Sequence, residues 1–177
     1  MLGPDALVIS CDELRERLRA SRREIKVALL DQRVVAGIGN LYASEILHRS
    51  GVHPRHRCDR LPRGAWALIH AHMLAVLQTA ILYEGSTLSD GAYRNALNQS
   101  GGYQNHHLVY DRAGNTCPTC AAGLVERIVQ AQRATFFCAK CQTKSRRPVL
   151  LFRRATFSAA PGPPVTFPLI APTETRL

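Results

Sequence analysis

Apolar residues recur at helical spacing through the first half of the chain, and this period predicts a bundle of four helices. Ser10 and Glu13 form a capping box at the start of the first helix, whose inner face carries Leu14 and Leu18. Pro62 is acceptable in the first turn of the longest helix. The first helix opens at Ser10, and the other three are predicted over 24–32, 41–49 and 61–83.

The turn between the second and third helices carries two glycines on either side of one apolar residue. Gly37 and Gly39 let the backbone fold sharply and come close to another molecule. Asn40 then stands at the expected N-cap of the third helix. The exposed N–H groups of that helix start, with the helix dipole behind them, favour an anion. An ordinary turn between two helices carries the same pattern, so the turn alone leaves both interpretations open.

The second half of the chain has a different pattern. A stretch rich in Gly, Ser, Asn and Asp at 84–104 predicts a long loop. Strand-like runs follow at 108–110 and 124–128. The proline-rich end predicts disorder. These changes divide the chain into a linker arm at 1–9, a helical domain at 10–104, a small β domain at 105–144 and a tail at 145–177.

Four of the six cysteines form two CxxC pairs separated by 17 residues. They are Cys117, Cys120, Cys138 and Cys141. Two such turns can direct four thiolates at one Zn²⁺ ion and leave no position open for water, so a structural metal is predicted. The segment between the pairs has the length of one β-hairpin, as in a zinc ribbon. Buried or redox-active cysteines are the alternative, and His106 and His107 are remote alternative ligands.

The charge of the chain indicates a polyanionic partner. The formal net charge is +10 at pH 7 and the sequence pI is about 9.9. Most of the positive charge is arginine, which suits phosphate, although a genome-wide bias toward arginine codons produces the same composition. No apolar run approaches the length of a membrane span, and the N-terminus lacks the pattern of a signal peptide. A cytoplasmic or nucleoid location, with no membrane contact, is therefore expected.

Polar residues at 130–135 occupy the expected turn of the hairpin between the cysteine pairs. Arg133 is predicted at its tip, where a rigid hairpin can probe a nucleic-acid groove. A solvated turn with no ligand is the alternative interpretation of these residues.

Residues 2–142 resemble the C-terminal half of the formamidopyrimidine-DNA glycosylase and endonuclease VIII family of base-excision repair enzymes. The resemblance lies in the order and spacing of motifs at 2–7, 25–26, 29–44, 51–54, 86–88, 109–112 and 132–138, together with both CxxC pairs. It implies a mainly α fold, a helix–two-turn–helix domain followed by a zinc finger with one structural Zn²⁺. The two parts are expected to hold damaged or abasic duplex DNA, with the protein acting as a monomer.

The resemblance also implies residue roles. Lys26 and Asn40 are similar to the residues that hold the phosphates flanking the lesion, and the glycine turn supplies main-chain N–H groups. Arg133 resembles the finger arginine that contacts the lesion phosphate and donates a proton in δ-elimination. The loop at 86–103 aligns with the loop that covers the flipped-out base, but its sequence departs from the commoner one. The expected DNA-binding residues are Arg22, Lys26, Gly37, Gly39, Asn40, Arg112 and Arg133.

Enzymes of the family begin with a β-sandwich domain whose N-terminal proline attacks the damaged nucleotide, with a glutamate beside it. This chain starts at the position of the linker that follows that domain, and the nitrogen of Pro4 lies in a peptide bond. We therefore expect the DNA-binding portion of a glycosylase/AP lyase that cannot excise a base alone. The alternatives are a non-catalytic zinc-containing sensor of DNA damage and a basic RNA- or ribosome-associated module, which fits the charge but not the motif order.

Overall fold

The protein is described by a computed structural model that covers residues 1–83 and 103–144. The predictions of a loop over 84–102 and of a tail after residue 144 fall outside these residues. The helices are α1 (Cys11–Leu18), α2 (Ile25–Leu29), α3 (Asn40–Arg49) and α4 (Arg63–Leu82), with 3₁₀ turns at Cys58–Arg60 and Tyr103–His106. Two strands follow, β1 (Val125–Gln130) and β2 (Arg133–Cys138).

All four predicted helices are present: α2 and α4 are shorter than predicted, and α3 begins one residue earlier. The hydroxyl oxygen of Ser10 accepts from the Glu13 N–H at 3.2 Å, which is the predicted cap of α1. Pro62 is the N-cap of α4 and not part of its first turn. Helix α2 ends early because the polar side chains that follow it bond to nearby backbone groups. The Asp31 carboxylate accepts from the Arg33 N–H at 3.1 Å, and the Gln32 carboxamide spans the next turn.

The first nine residues, predicted as a linker arm, pack on the helices. Asp5 and Ala36 form a parallel bridge. Ala6 and Ile9 are buried in the same apolar cluster as the helix interiors. A Cβ atom added to Gly3 would lie 2.6 Å from the Arg33 carbonyl oxygen, so the backbone of the arm needs a glycine there. The arm is therefore part of the helical unit in this structure.

Helix α4 is long and apolar enough to cross a membrane by length and composition, which corrects the expectation that no segment has that character. Its buried face, which includes Trp66, Ile69 and Met73, belongs to the apolar cluster that the other helices share. The helix contacts α1 and α3. A core helix passes the same test of length and composition, so α4 does not by itself indicate a membrane span.

The finger (residues 105–144) contains one antiparallel hairpin. Its register runs from Val125 opposite Cys138 to Gln130 opposite Arg133. The two turn residues, Ala131 and Gln132, have φ angles of 45° and 62°, as a two-residue type I′ turn requires. Arg133 is therefore the first residue of β2 and not the tip of the hairpin, which corrects its predicted position.

The run at 108–110 was predicted as a strand, and this prediction is wrong. The segment bends, and its N–H groups point to one carboxylate: Leu108, Val109 and Tyr110 all donate to Glu45 of α3. A buried acceptor thus replaces the ladder that a strand would need. The apolar pattern was correct for burial, since Val109 is fully buried, but not for secondary structure.

Candidate metal centre and nucleic-acid interface

The two CxxC turns bring four sulfur atoms to one point. The four Sγ atoms all lie within 4.8 Å of one another. Cys117 and Cys141 are 3.8 Å apart, and so are Cys120 and Cys138. A tetrahedral site with Zn–S bonds of about 2.3 Å has sulfur–sulfur edges of about 3.8 Å. The four cysteines can therefore hold one metal ion.

The backbone around the cysteines is shaped for this cluster. The Cys117 N–H donates to the Gly123 carbonyl at 2.7 Å. A Cβ atom on Gly123 would lie 2.8 Å from the Cys138 sulfur, so a side chain there would displace the cluster. Burial opposes ionisation of the Cys120 thiol, but hydrogen bonds from the Ala122 N–H, the Cys141 thiol, the Gly123 N–H and the Cys117 thiol outweigh it and lower the pKa to about 6. That thiolate is available to a cation near neutral pH.

A second polar cluster lies where the start of α3 meets β2. The Lys26 ammonium donates to the Asn40 side-chain oxygen at 2.6 Å, to the Thr135 hydroxyl at 2.8 Å and to the Ala134 carbonyl at 3.1 Å. The Asn40 side-chain nitrogen donates to the same carbonyl at 3.0 Å. Burial, and then the charge of Arg133, lower the pKa of Lys26 to about 8. All three N–H bonds of the ammonium are thus directed at acceptors of the chain itself.

The glycine turn leads directly into this cluster. Gly37 has φ 97°, a conformation that favours glycine, and its N–H donates to the Gln32 side-chain oxygen at 3.0 Å. Gly39, and not Asn40 as predicted, is the N-cap of α3, because the Asn40 side chain turns toward β2. No side chain of the described residues caps this helix start. A Cβ atom on Gly39 would meet nothing within 4 Å, so the surface beside it is open.

An uncapped helix start beside two cationic side chains is a site for an anion.

The sequence profile described as "Formamidopyrimidine-DNA glycosylase H2TH domain" matches residues 2–91. The chain belongs to this family. Among curated relatives, the formamidopyrimidine-DNA glycosylase of Chloroflexus aggregans is 47% identical over 129 residues, which are 73% of this chain and 46% of the relative. That of Bacillus subtilis is 40% identical over 141 residues, 80% of this chain and 50% of the relative.

Solved structures of the family have the same fold. The MutM (Fpg) protein from Thermus thermophilus is 39% identical with a TM-score of 0.76, over 81% of this chain and 55% of that chain. Lactococcus lactis Fpg in complex with abasic-site DNA is 34% identical with a TM-score of 0.74, over 81% of this chain and 52% of that chain. The chain thus spans about half the length of the relatives that it matches.

Two of the arginines expected to bind DNA in this family have other surroundings. Arg22 lies close enough to Asp59 to help lower the pKa of that carboxyl, after the larger effect of Arg57. The Arg112 guanidinium donates to the His107 carbonyl at 2.8 Å. The residues that the structure brings together are Lys26, Asn40 and Arg133 at the start of α3, and the four cysteines.

Sequence reasoning missed two buried polar residues of α3 that join the helices to the finger. Glu45 is fully buried, and its carboxylate accepts four hydrogen bonds of 2.9 to 3.1 Å from three consecutive backbone N–H groups. His48 is almost fully buried, and its ring bonds to Thr119 and Gln142 of the finger. The available signal was weak: both are polar residues three positions apart on a helix whose other buried positions are mostly apolar.

Proposed function

We propose that the chain is the DNA-binding, zinc-bearing portion of a base-excision-repair DNA glycosylase/AP lyase. Its parts are the arm at 1–9, a helix–two-turn–helix domain at 10–104, a four-cysteine finger at 105–144 and a tail at 145–177. The observation that carries the proposal is the convergence of Lys26, Asn40 and Arg133 at an open helix start. Abasic-site DNA bound to the Lactococcus lactis relative supports damaged or abasic duplex DNA as the ligand. We propose a monomer in the cytoplasm, acting at the bacterial nucleoid.

The phosphate would bind at the open face of the glycine turn. N–H groups at Gly39 and Asn40 and the dipole of α3 favour an anion there, and Arg133 is exposed on the neighbouring strand. Lys26 adds its positive charge from inside the protein. Because its three N–H bonds already have acceptors, direct contact with a phosphate requires the release of one of them. Gly37 would allow the sharp turn through its backbone conformation. Arg22 and Arg112 would contact DNA outside this cluster.

The metal would be one Zn²⁺ held by Cys117, Cys120, Cys138 and Cys141. Four thiolates fill a tetrahedral site, so the ion would stabilise the finger and would not activate water. It would thereby fix β2, which carries Arg133 and two of the three acceptors of Lys26. Zinc thus supplies structure to the DNA-binding cluster.

DNA binding can be tested by measuring the affinity for a duplex with one abasic-site analogue against salt concentration. The logarithm of the binding constant should fall with log[salt] by about 0.9 per neutralised phosphate, and Arg133→Ala should reduce that slope by about one unit. Gly39→Ala should weaken binding with a loss of stability of at most about 1 kcal/mol, because the added methyl group meets no atom of the protein within 4 Å and alanine is a poorer N-cap than glycine. Arg17→Ala, which removes a charge from the exposed side of α1, is the matched control. A salt-independent affinity would contradict the proposal.

We further propose that these 177 residues alone bind a damaged base without excising it, with Arg133 kept as the proton donor for δ-elimination in the whole enzyme. Glycosidic cleavage in the family needs a free amine, and the Lys26 amine is mostly protonated at neutral pH and engaged by three acceptors. Borohydride should trap no covalent complex with a duplex that contains an oxidised purine. A trapped complex would show that a residue of this chain supplies the nucleophile and would rule out a purely non-catalytic sensor.

A further inference from the structure

One imidazole of the helical unit contacts the first CxxC turn of the finger and the residue that follows the second. The Nε2 atom of His48 lies 2.8 Å from the Thr119 hydroxyl, within the first turn, and 3.9 Å from the Cys117 sulfur. Its Nδ1 atom lies 3.1 Å from the side-chain oxygen of Gln142, which follows the second turn directly. The ring therefore stands between the two halves of the cysteine cluster, on a helix that contributes no sulfur ligand.

The direction of each bond follows from the partners of Gln142. Its side-chain oxygen also accepts from the Cys138 N–H at 3.0 Å, and its nitrogen donates to the Val52 carbonyl at 2.9 Å. These two contacts fix which end of the carboxamide is oxygen. The His48 Nδ1 must then carry the hydrogen, and Nε2 accepts from the Thr119 hydroxyl. Both ring nitrogens are thus hydrogen-bonded. Nε2 bonds to the first CxxC turn, and Nδ1 bonds to Gln142, which itself bonds to the second turn.

We propose that His48 is a positioning residue of the metal site, which holds the two CxxC turns at the separation that a single ion needs. The inference rests on the proposed metal site. Groups that orient ligands without touching the ion typically change metal affinity 10–100-fold when they are removed. His48 lies in α3, about two helical turns after the start of that helix at the glycine turn. The ring therefore also joins the metal site to the helix that begins at the proposed phosphate site.

The experiment uses the full chain and two readouts besides activity. Competition with a chromophoric chelator gives the zinc affinity, and the absorption bands of the cobalt(II)-substituted protein report the geometry of the four thiolates. His48→Phe keeps a ring and removes both nitrogens, and we expect zinc affinity to fall roughly 10–100-fold, with altered cobalt bands. Thr119→Val should give a smaller loss. The double variant should lose little more than His48→Phe, because both changes remove the same bond.

His53→Phe is the matched control. The His53 ring packs on Phe137 of β2 with centroids 4.8 Å apart, so it also contacts the finger, but its Nδ1 atom accepts from the Arg55 N–H at 3.1 Å. It should leave zinc affinity and the cobalt bands unchanged. Unchanged affinity and bands in His48→Phe would overturn the positioning role while zinc binding by the parent stands. If the parent binds no metal, the metal site fails first and the role of His48 with it. Should His48→Phe not fold, Thr119→Val decides, and unchanged bands there overturn the inference.

Discussion

The helical core and the seam between helices and finger are built from opposite kinds of side chain. The core is a continuous cluster of buried apolar residues from the arm and all four helices. The seam, as we use the term, is the contact of Lys26, Glu45 and His48 with the finger, and all three are buried. Apolar contacts are non-directional and tolerate swaps of similar volume. A seam made of hydrogen bonds instead loses about 1–3 kcal/mol for each buried group that is left without a partner.

Loss of the finger structure should affect the finger and the helices differently. The apolar cluster of the finger contains only Val109, Val125 and Phe136 as buried members, with Tyr110 and Ala134 beside them. So small a cluster cannot stabilise 40 residues alone, and metal and seam must contribute the rest. On the helical side, the three seam residues are charged or polar and can be hydrated when the finger is lost. The helices should therefore survive loss of the finger better than an apolar interface would allow.

Metal removal should give the largest loss of stability, and it should distinguish the finger from the helical core most clearly. Structural zinc contributes about 10–16 kcal/mol in small zinc-finger peptides, so a chelator should unfold residues from about 108 to 142. Hydrogen exchange should rise throughout the finger. Emission of Trp66, the only tryptophan and buried in α4, should change little.

Cys138→Ser should reproduce the effect of the chelator, and Cys11→Ser, which changes a cysteine outside the cluster, should not. If the emission of Trp66 changes at the same chelator concentration at which the finger unfolds, the two regions are not independent. Such a change would show that core and seam unfold as one cooperative unit.

Truncation of Glu45 should give the next largest effect. Glu45→Ala removes the shared acceptor of three backbone N–H groups, and a buried unpaired group costs about 1–3 kcal/mol, so we expect a total loss of about 3 kcal/mol. Denaturant unfolding of the zinc-loaded chain measures it. Glu45→Gln, which keeps one oxygen, should lose less. Glu16→Ala on the exposed side of α1 is the control and should stay within about 0.5 kcal/mol. Equal stability of Glu45→Ala and Glu16→Ala would show that water replaces the carboxylate.

Sequence predicted the core far better than it predicted the seam, and the reason is the distance along the chain. The helices follow from local period, and the meeting of the four cysteines follows from two local turns and one hairpin. The bond between Lys26 and the Ala134 carbonyl joins residues 108 positions apart. No local pattern encodes it, so Lys26 was assigned to a phosphate by resemblance alone.

The errors have the same origin. Apolar residues at 108–110 indicated a strand, but the Glu45 carboxylate, which lies more than 60 positions earlier, bends that segment. The hairpin turn falls at Ala131 and Gln132, which lack the glycine that usually marks a type I′ turn. The position of Arg133, directly after the turn, was therefore misjudged by one residue.

Replacement of Lys26 should give the smallest effect on stability and a distinctive pH dependence. Lys26→Met removes three hydrogen bonds and also the cost of burying a charge, so we expect a net loss of about 1 kcal/mol at pH 7. The folded parent releases the Lys26 proton near pH 8, whereas the unfolded chain holds it to about 10.5. Between these values the unfolded state binds more protons, so the stability of the parent rises with pH. Lys26→Met lacks this rise, and the difference between the two proteins should widen from pH 8 to pH 10.

Urea unfolding of the zinc-loaded proteins at pH 7, 8, 9 and 10 measures both effects. Lys140→Met, at an exposed lysine of the finger, is the matched control and should match the parent in stability at pH 7 within about 0.5 kcal/mol. Parallel pH profiles for the parent and Lys26→Met would mean that the ammonium is hydrated in solution. The seam would then be open at Lys26, and the ammonium would be free to bind a phosphate directly. Within the described part of the chain Lys26 is the only buried lysine, so a pH effect of this kind belongs to the seam.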